Sequence, residues 1–223
     1  PFPFSCETTR SCEPRPEGDV CDNAMVAESV PFSHEGSTIP HHNDVSHGSN
    51  TCPGDSGSRG GGSPDAVTHF TAPEDALYRF KVSASWDSTL YLLDGCGGAE
   101  VTCLAGDQVS KKGGEEIYHP MSAGESLYVV VDGGHASDKK HGSYTLTIGI
   151  CTPECGDSVC GSDGCGGSCG SCPSTDRCAS GACVPKTGDS CESSIKVGSP
   201  SWDDSENTSN FNPVMDAGLC AEG

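Results

Sequence analysis

The sequence has little positive charge. It contains 12 lysine and arginine residues against 32 aspartate and glutamate residues, which gives a formal net charge of −20 at pH 7. A chain with this balance repels nucleic acid and anionic membrane surfaces, so neither is expected as a partner. Divalent cations are the natural counter-charge for such a protein.

Apolar residues are also scarce, at 33% of the chain. The longest purely apolar run, near Leu127 to Val131, is far short of the roughly 20 residues that a membrane-spanning helix needs, so membrane insertion is not expected. One modest core fits this composition, whereas the core of a large enzyme does not. Thirty glycines and 15 prolines without a long helical period indicate strands, turns and loops.

Cysteine is abundant, with 16 residues in a chain of 223. An even number at short regular spacings is typical of disulfides formed in an oxidising compartment. The sequence therefore predicts a secreted protein, located outside the cell or at its surface.

A short motif occurs twice. Gly18-Asp19-Val20-Cys21-Asp22 returns as Gly188-Asp189-Ser190-Cys191-Glu192, an offset of 188 − 18 = 170 residues. This indicates a tandem array. The expected divisions are the tail of a preceding cysteine-rich unit at 1–17, a β-sandwich at 18–150, a disulfide module at 151–187, and the incomplete start of a second sandwich at 188–223.

Residues 18–150 carry short patterns of period two, which are typical of strands with one face in a core. The apolar positions are Tyr78, Phe80 and Val82; Leu90 and Leu92; Leu127, Val129 and Val131; and Tyr144, Leu146, Ile148 and Ile150. Turns are predicted at 73–75, 123–124 and 132–134, and a long surface loop at 35–64. Together these patterns predict an all-β fold, an antiparallel β-sandwich beside a small disulfide-rich module.

The spacing of the cysteines suggests particular pairs. Cys21 and Cys52 would close the long loop, and Cys191 and Cys220 the matching loop of the second copy, because the two separations are 31 and 29 residues. Two further hairpins would be closed by the pairs Cys96 with Cys103 and Cys6 with Cys12. Eight cysteines should pair among themselves, with 105 connectivities left open: Cys151, Cys155, Cys160, Cys165, Cys169, Cys172, Cys178 and Cys183. Zinc is the competing interpretation, but only Cys169 and Cys172 show the usual C-x2-C spacing.

Four segments, "GSPDAVTHFTAPEDALYRF", "WDSTLYLLDGCGG", "GESLYVVVDGG" and "GSYTLTIGI", occur in an order that resembles the bacterial pre-peptidase C-terminal (PPC-like) domain family. The segment "CGSDGCGGSCGSC" is similar to cysteine-rich linker repeats found beside such domains. The resemblance implies a jelly-roll-like sandwich of non-catalytic type, an accessory or adhesive module. The chain departs from the family pattern in having only Asp107 after Cys103, where an acidic pair is common.

Some relatives of this family bind calcium. The positions that match their ligands are Glu17, Asp19 and Asp65, and the resemblance implies that these residues hold the ion. Asp19 and Asp22 recur as Asp189 and Glu192, and hard carboxylate oxygens suit calcium. The competing interpretation is that these acids cap turns and keep the protein soluble. No other cofactor is expected.

Three other motifs invite a functional interpretation that the sequence does not favour. Gly54-Asp55-Ser56-Gly57-Ser58 is similar to a serine-protease nucleophile loop, but a turn is the better interpretation because no base or oxyanion scaffold accompanies it. The histidines at 34, 41, 42 and 47 have no counterparts in the second copy, so a polar loop is favoured over a metal site. Asn207-Thr208-Ser209 has the form of a glycosylation sequon.

Two hypotheses for function remain. The first is a non-catalytic extracellular structural or adhesive repeat protein that forms fibres or filaments, with neighbouring repeats, other copies, an extracellular polymer or a cell surface as partners. The second is the accessory binding region of a secreted hydrolase whose catalytic domain lies outside these residues. An enzyme within these residues is not expected, since no nucleophile, base and oxyanion donor converge.

Overall fold

The computed structural model describes residues 4–6, 12–45, 52–53, 62–96, 101–107, 114–134 and 140–186. The chain divides into two compact units, Pro1–Thr152 and Pro153–Gly223. The predicted second sandwich at 188–223 lies outside the described residues, and so do the Cys191–Cys220 pair and Asn207.

The described secondary structure consists of strands and one 3₁₀ turn at Cys21–Asn23. The strands are β1 (Phe4–Cys6), β2 (Cys12–Pro14), β3 (Met25–Ala27), β4 (Phe32–Ser37), β5 (Ala66–Thr71), β6 (Ala76–Ala84), β7 (Ser88–Leu93), β8 (Cys103–Asp107), β9 (Glu116–Met121), β10 (Ser126–Gly133), β11 (Ser143–Ile150), β12 (Asp176–Ala179) and β13 (Ala182–Pro185). The predicted surface loop therefore begins at residue 38, because 35–37 belong to β4.

Two sheets make up the sandwich. The five-stranded sheet has the order β3-β5-β10-β7-β8, and the four-stranded sheet has the order β4-β11-β6-β9. Neighbouring strands are antiparallel except β3, which runs parallel to β5 at the sheet edge. The all-β prediction is confirmed.

The core between the sheets is built from the alternating residues that the sequence singles out. Tyr78, Phe80 and Val82 of β6 are fully buried, and the predicted positions of β7, β10 and β11 join them, except Ile150. Ile150 is 41% exposed because it lies at the last position of β11, beyond the edge of the core. Trp86 packs against this core from the segment before β7.

The five-stranded sheet is buried on its outer face as well. All six residues of β7 are buried, so this strand has no solvent-facing side. A second apolar cluster covers the outer face and consists of Cys52, Val67, Tyr91, Leu93, Cys103 and Val130. Described residues of the irregular segments, among them Val45, Cys52 and Val101, therefore pack on this face.

Two glycines serve close packing and a turn. Gly36 of β4 faces Tyr144 of β11, and a Cβ at this position would lie 2.6 Å from the Tyr144 Cζ atom. Gly124 has φ of +83° in the turn between β9 and β10, a conformation that favours glycine. The turn predicted at 123–124 is confirmed.

Two of the predicted disulfides are wrong. Cys21 pairs with Cys96 and Cys52 pairs with Cys103, with Cα–Cα distances of 5.5 and 5.0 Å, so neither Cys21–Cys52 nor Cys96–Cys103 forms. Cys103 lies opposite Leu93 in the β7–β8 ladder. The backbone carbonyl oxygen of Pro53, the neighbour of Cys52, accepts a hydrogen bond from the Gly106 N–H of β8 at 3.0 Å.

The second unit contains a two-stranded sheet, β12–β13, and closely spaced disulfides. These join Cys155 to Cys169, Cys160 to Cys178, and Cys172 to Cys183. Cys151 and Cys165 are also disulfide-bonded. The backbones of Cys6 and Cys12 face each other across the β1–β2 pair, and the expected bond between their side chains stays a prediction.

Candidate functional site

A cluster of buried carboxylates lies at one end of the five-stranded sheet. Asp19, Asp65 and Asp132 each have 0% of their surface exposed. They come from three parts of the chain: the turn before β3, the residue before β5, and the penultimate position of β10. Three fully buried acids in one region are unusual, because burying a charge costs free energy unless it is paired.

Asp19 has partners on both of its carboxylate oxygens. Oδ1 accepts a hydrogen bond from the backbone N–H of His42 at 2.5 Å. Oδ2 lies 3.0 Å from His42 Nδ1 and accepts a hydrogen bond from the Arg15 guanidinium at 3.1 Å. Arg15 also forms an ion pair with Asp44, so this cation neutralises the outer part of the cluster.

Asp65 is held by the segment that crosses above it. Its Oδ2 accepts hydrogen bonds from the backbone N–H groups of Asp44 and Val45, both at 2.9 Å. Its Oδ1 is buried and has no hydrogen-bond partner among the described residues. Burial, together with the negative charges of Asp44 and Asp19, raises the pKa of Asp65 to about 7 in spite of the two backbone donors.

Asp132 is the buried acid that the sequence did not reveal. It was expected in a turn at 132–134, but both Asp132 and Gly133 lie within β10. Tyr91 O–H donates a hydrogen bond to its Oδ2 at 3.0 Å, and the Gly133 N–H donates to its Oδ1 at 2.6 Å. Burial and the neighbouring charge of Asp65 raise the pKa of Asp132 well above its ordinary value.

The structure brings together two of the three predicted calcium ligands. Asp19 and Asp65 interact electrostatically within the cluster. Glu17 is exposed and does not enter the buried region. Whether calcium binds stays a prediction, and the ligand set implied by the resemblance is incomplete in this arrangement.

Histidine contributes in a way that the sequence analysis did not anticipate. His42 contacts Asp19, and His41 Nδ1 lies 2.8 Å from the backbone carbonyl oxygen of Asp65. Side-chain oxygen or nitrogen atoms of Asp19, His42 and Asp44 lie within 4.8 Å of one another. His41 and His42 therefore pack against the acids. The contact of His42 with Asp19 holds the polar 41–45 segment close to the sheet.

Other predicted features divide between described and undescribed residues. The Gly54–Ser58 motif and His47 lie outside the described residues. Cys160, Cys172 and Cys183 have sulfur atoms within 4.8 Å of one another, but all three are in disulfides, and a half-cystine is not the thiolate that zinc requires. No helix among the described residues has the length and hydropathy to cross a membrane.

Comparisons with known proteins give structural matches only. No protein-family model matches the chain, and no curated protein matches it. The pre-peptidase C-terminal domain of collagenase from Bacillus anthracis is 16% identical, with a TM-score of 0.37 over 61% of this chain and 99% of that domain.

Two further solved structures match the chain. PliG from Aeromonas hydrophila, a periplasmic inhibitor of g-type lysozyme, is 10% identical, with a TM-score of 0.35 over 57% of this chain and 96% of the inhibitor. A ruminal GH26 endo-beta-1,4-mannanase is 13% identical, with a TM-score of 0.29 over 56% of this chain and 26% of the enzyme.

Proposed function

We propose that this chain is part of a non-catalytic extracellular repeat protein with a structural or adhesive role. The observation that carries the proposal is the way in which the disulfides overlap along the chain. In the sandwich, the ring closed by Cys21 and Cys96 overlaps the ring closed by Cys52 and Cys103. Every residue from 21 to 103 therefore belongs to at least one covalent ring.

The second unit follows the same rule at a shorter spacing. Its rings span 14, 18 and 11 residues, and each overlaps the next, so that 155–183 is covered without a gap. The described part of this unit has little apolar core, and small domains of this kind depend on cross-links for stability. Cross-linking of both units suits a protein that must keep its shape outside the cell, where disulfides persist.

The repeat of Gly18–Asp22 at Gly188–Glu192 supports an array of such units. Assembly into a filament, through contacts between repeats or between copies, is the specific form that we propose. Adhesion to an extracellular polymer or a cell surface is the related role for the same array. Calcium is the ligand that we propose for the buried acids.

Electron microscopy of the natively secreted protein, carried out with and without a calcium chelator, tests the role. We expect regular beads along a filament, each bead corresponding to one period of the array. Dispersed particles with a larger head would contradict the filament and would support the alternative, an accessory region of a secreted hydrolase. Loss of filament order on chelation would connect the acid cluster to assembly.

A variant of the second unit provides a control for the structural argument. Replacing Cys172 and Cys183 by alanine opens one ring of 11 residues and leaves the sandwich unchanged. If cross-linking of this unit supports the array, the filaments should become irregular in the variant. Filaments as regular as those of the parent protein would show that this disulfide is not needed for the proposed role.

A further inference from the structure

Thr89 lies beside the buried acids and extends them across a third strand. Thr89 of β7 is paired directly with Asp132 of β10, so the two side chains lie on the same face of the sheet. Asp65 precedes Ala66, which pairs with Val131 on the other side of β10. Asp65, Asp132 and Thr89 therefore form a row at the end of the outer face.

Two oxygen atoms in this row lack a partner among the described residues. Asp65 Oδ1 and Thr89 Oγ1 are both buried without a hydrogen bond, and both residues have 0% of their surface exposed. An unsatisfied buried polar atom destabilises the folded state. The Thr89 hydroxyl and the free Asp65 oxygen lie on either side of the Asp132 carboxylate. Both atoms are thus available to coordinate a cation.

Among the described residues, no cation contacts Asp65 or Asp132 in the inner part of the cluster. Arg15 contacts Asp19 and Asp44, at the outer side. The hydrogen bonds to Asp132 come from Tyr91 and from the backbone, neither of which carries positive charge. The charge of Asp65 disfavours ionisation of Asp132, so a positive ion between the two carboxylates would offset this repulsion and would also bind the unpartnered oxygens.

We propose that Asp65, Asp132 and Thr89 bind a calcium ion beneath the 41–45 segment. This site differs from the set Glu17, Asp19 and Asp65 that the resemblance implies, because it shares only Asp65 with it. It does not depend on the structural role of the array.

The donor set indicates the class of ion. All of the available atoms are hard oxygens, from carboxylates and a hydroxyl, and the Val45 carbonyl oxygen lies nearby, 3.4 Å from the Tyr91 hydroxyl. Calcium takes 6 to 8 oxygens from side chains, backbone carbonyls and water in flexible geometry. Asp19 is left out because its charge is already paired with the Arg15 guanidinium, whereas neither Asp65 nor Asp132 forms an ion pair among the described residues.

Calcium titration of the full chain by calorimetry tests the site directly. Thr89→Val keeps the shape of the side chain and removes the hydroxyl, and it should weaken calcium binding about tenfold. Asp132→Asn removes a charged ligand and should weaken binding further. Thr147→Val, the same change in β11 of the other sheet, is the matched control and should bind calcium like the parent protein.

Terbium provides a second measurement, because Tyr91 donates a hydrogen bond to Asp132 and would lie close to the bound ion. Terbium bound in place of calcium should show luminescence on excitation of tyrosine. The emission should fall in Tyr91→Phe while calcium still displaces the terbium. Unchanged emission in this variant would place the ion elsewhere and contradict the proposal.

Thermal stability distinguishes a ligand from a residue that only supports the fold. In chelator, Thr89→Val should melt at the same temperature as the parent protein or higher, because an unsatisfied buried hydroxyl has been removed. In calcium, the parent protein should gain more in melting temperature than the variant does. A variant that is less stable than the parent by the same amount in both conditions would assign Thr89 a purely structural role.

The remaining outcomes also decide the matter. No calcium binding by the parent protein would overturn the site. Binding that is lost in Asp19→Asn and Glu17→Gln but kept in Thr89→Val and Asp132→Asn would move the ion to the N-terminal set. Filaments without calcium binding would leave the proposed structural role in place and remove this site alone.

Discussion

Removing the disulfide between Cys21 and Cys96 should destabilise the sandwich by an amount set by the length of chain that it closes. The two cysteines are 75 residues apart. On the chain-entropy model, opening a ring of this size lowers the free energy of unfolding by about 4.5 kcal/mol at 25 °C. This is a large share of the roughly 5–15 kcal/mol that keeps a typical domain folded.

Urea unfolding of the full chain with Cys21 and Cys96 both replaced by alanine measures this loss. Trp86 packs against the core of the sandwich, so its fluorescence reports the unfolding of this unit. The midpoint should move to lower urea concentration, and the slope should rise because the unfolded chain without the cross-link is less compact. The two substitutions are made together so that no free thiol is left to exchange with other disulfides.

The second disulfide of the sandwich is the comparison. Cys52 and Cys103 are 51 residues apart, for which the same model gives about 4.1 kcal/mol. Both of these residues are also buried in the outer apolar cluster, so their replacement removes packing as well as the cross-link. The variant lacking the Cys52–Cys103 bond should therefore be at least as unstable as the variant lacking Cys21–Cys96.

Peptide mapping without reduction gives the result that would refute this reasoning. Cys21 should be recovered in a peptide pair with Cys96, and Cys52 in a pair with Cys103. Recovery of Cys21 with Cys52 would contradict the Cys21–Cys96 bond and support the pair that the cysteine spacing suggests. It would also reduce the expected loss, because the ring would then close only 31 residues.

Two further predictions concern the buried acids and the packing of the four-stranded sheet. Asp65 has a pKa of about 7 and the pKa of Asp132 is also raised, so the folded state binds protons that the unfolded state has released above about pH 4. Without divalent cations, Asp65 should raise the free energy of unfolding by about 1.4 kcal/mol for each pH unit from pH 7 down toward pH 4, and Asp132 should act in the same direction. Urea midpoints at pH 5 and 8 check this, and Asp65→Asn should reduce the difference; a lower midpoint at pH 5 than at pH 8 would contradict it. Gly36→Ala should cost about 1–3 kcal/mol because the added Cβ meets the Tyr144 ring, whereas Gly149→Ala, which meets nothing within 4 Å, should be nearly neutral in the same urea assay.

Most of the inner core could be predicted from alternation alone. Tyr78, Phe80 and Val82 face inward because a strand turns every second side chain to the same side. Alternation says less about a strand that is buried on both faces. β7 has Leu90 and Leu92 on one side and Tyr91 and Leu93 on the other. Only the tertiary structure shows that the first pair is buried between the two sheets and the second pair in the outer apolar cluster.

The disulfides and the acid cluster could not be predicted from spacing. Cys21 meets Cys96 because the N-terminal segment packs on the outer face of the five-stranded sheet, which is a property of the tertiary fold. Asp132 follows an apolar strand and precedes two glycines, which is also the composition of a turn. The signal that could have placed it in β10 is its period-two relation to Val130, since both side chains lie on the outer face.

The Cys21–Cys96 bond also determines how the sandwich would respond to a pulling force. The shortest covalent path from Cys21 to Ile150 crosses this bond and bypasses the chain between its ends, which are separated by 75 positions in the sequence. At about 3.3–3.6 Å for each extended residue, roughly 250 Å of chain cannot be drawn out even when the sheets have separated. The path then reaches β11, which is hydrogen-bonded to β4 on one side and β6 on the other, so two ladders must shear together before this strand leaves. Under tension, the domain would therefore extend only by a limited length, and its strands would pair again once the force is removed.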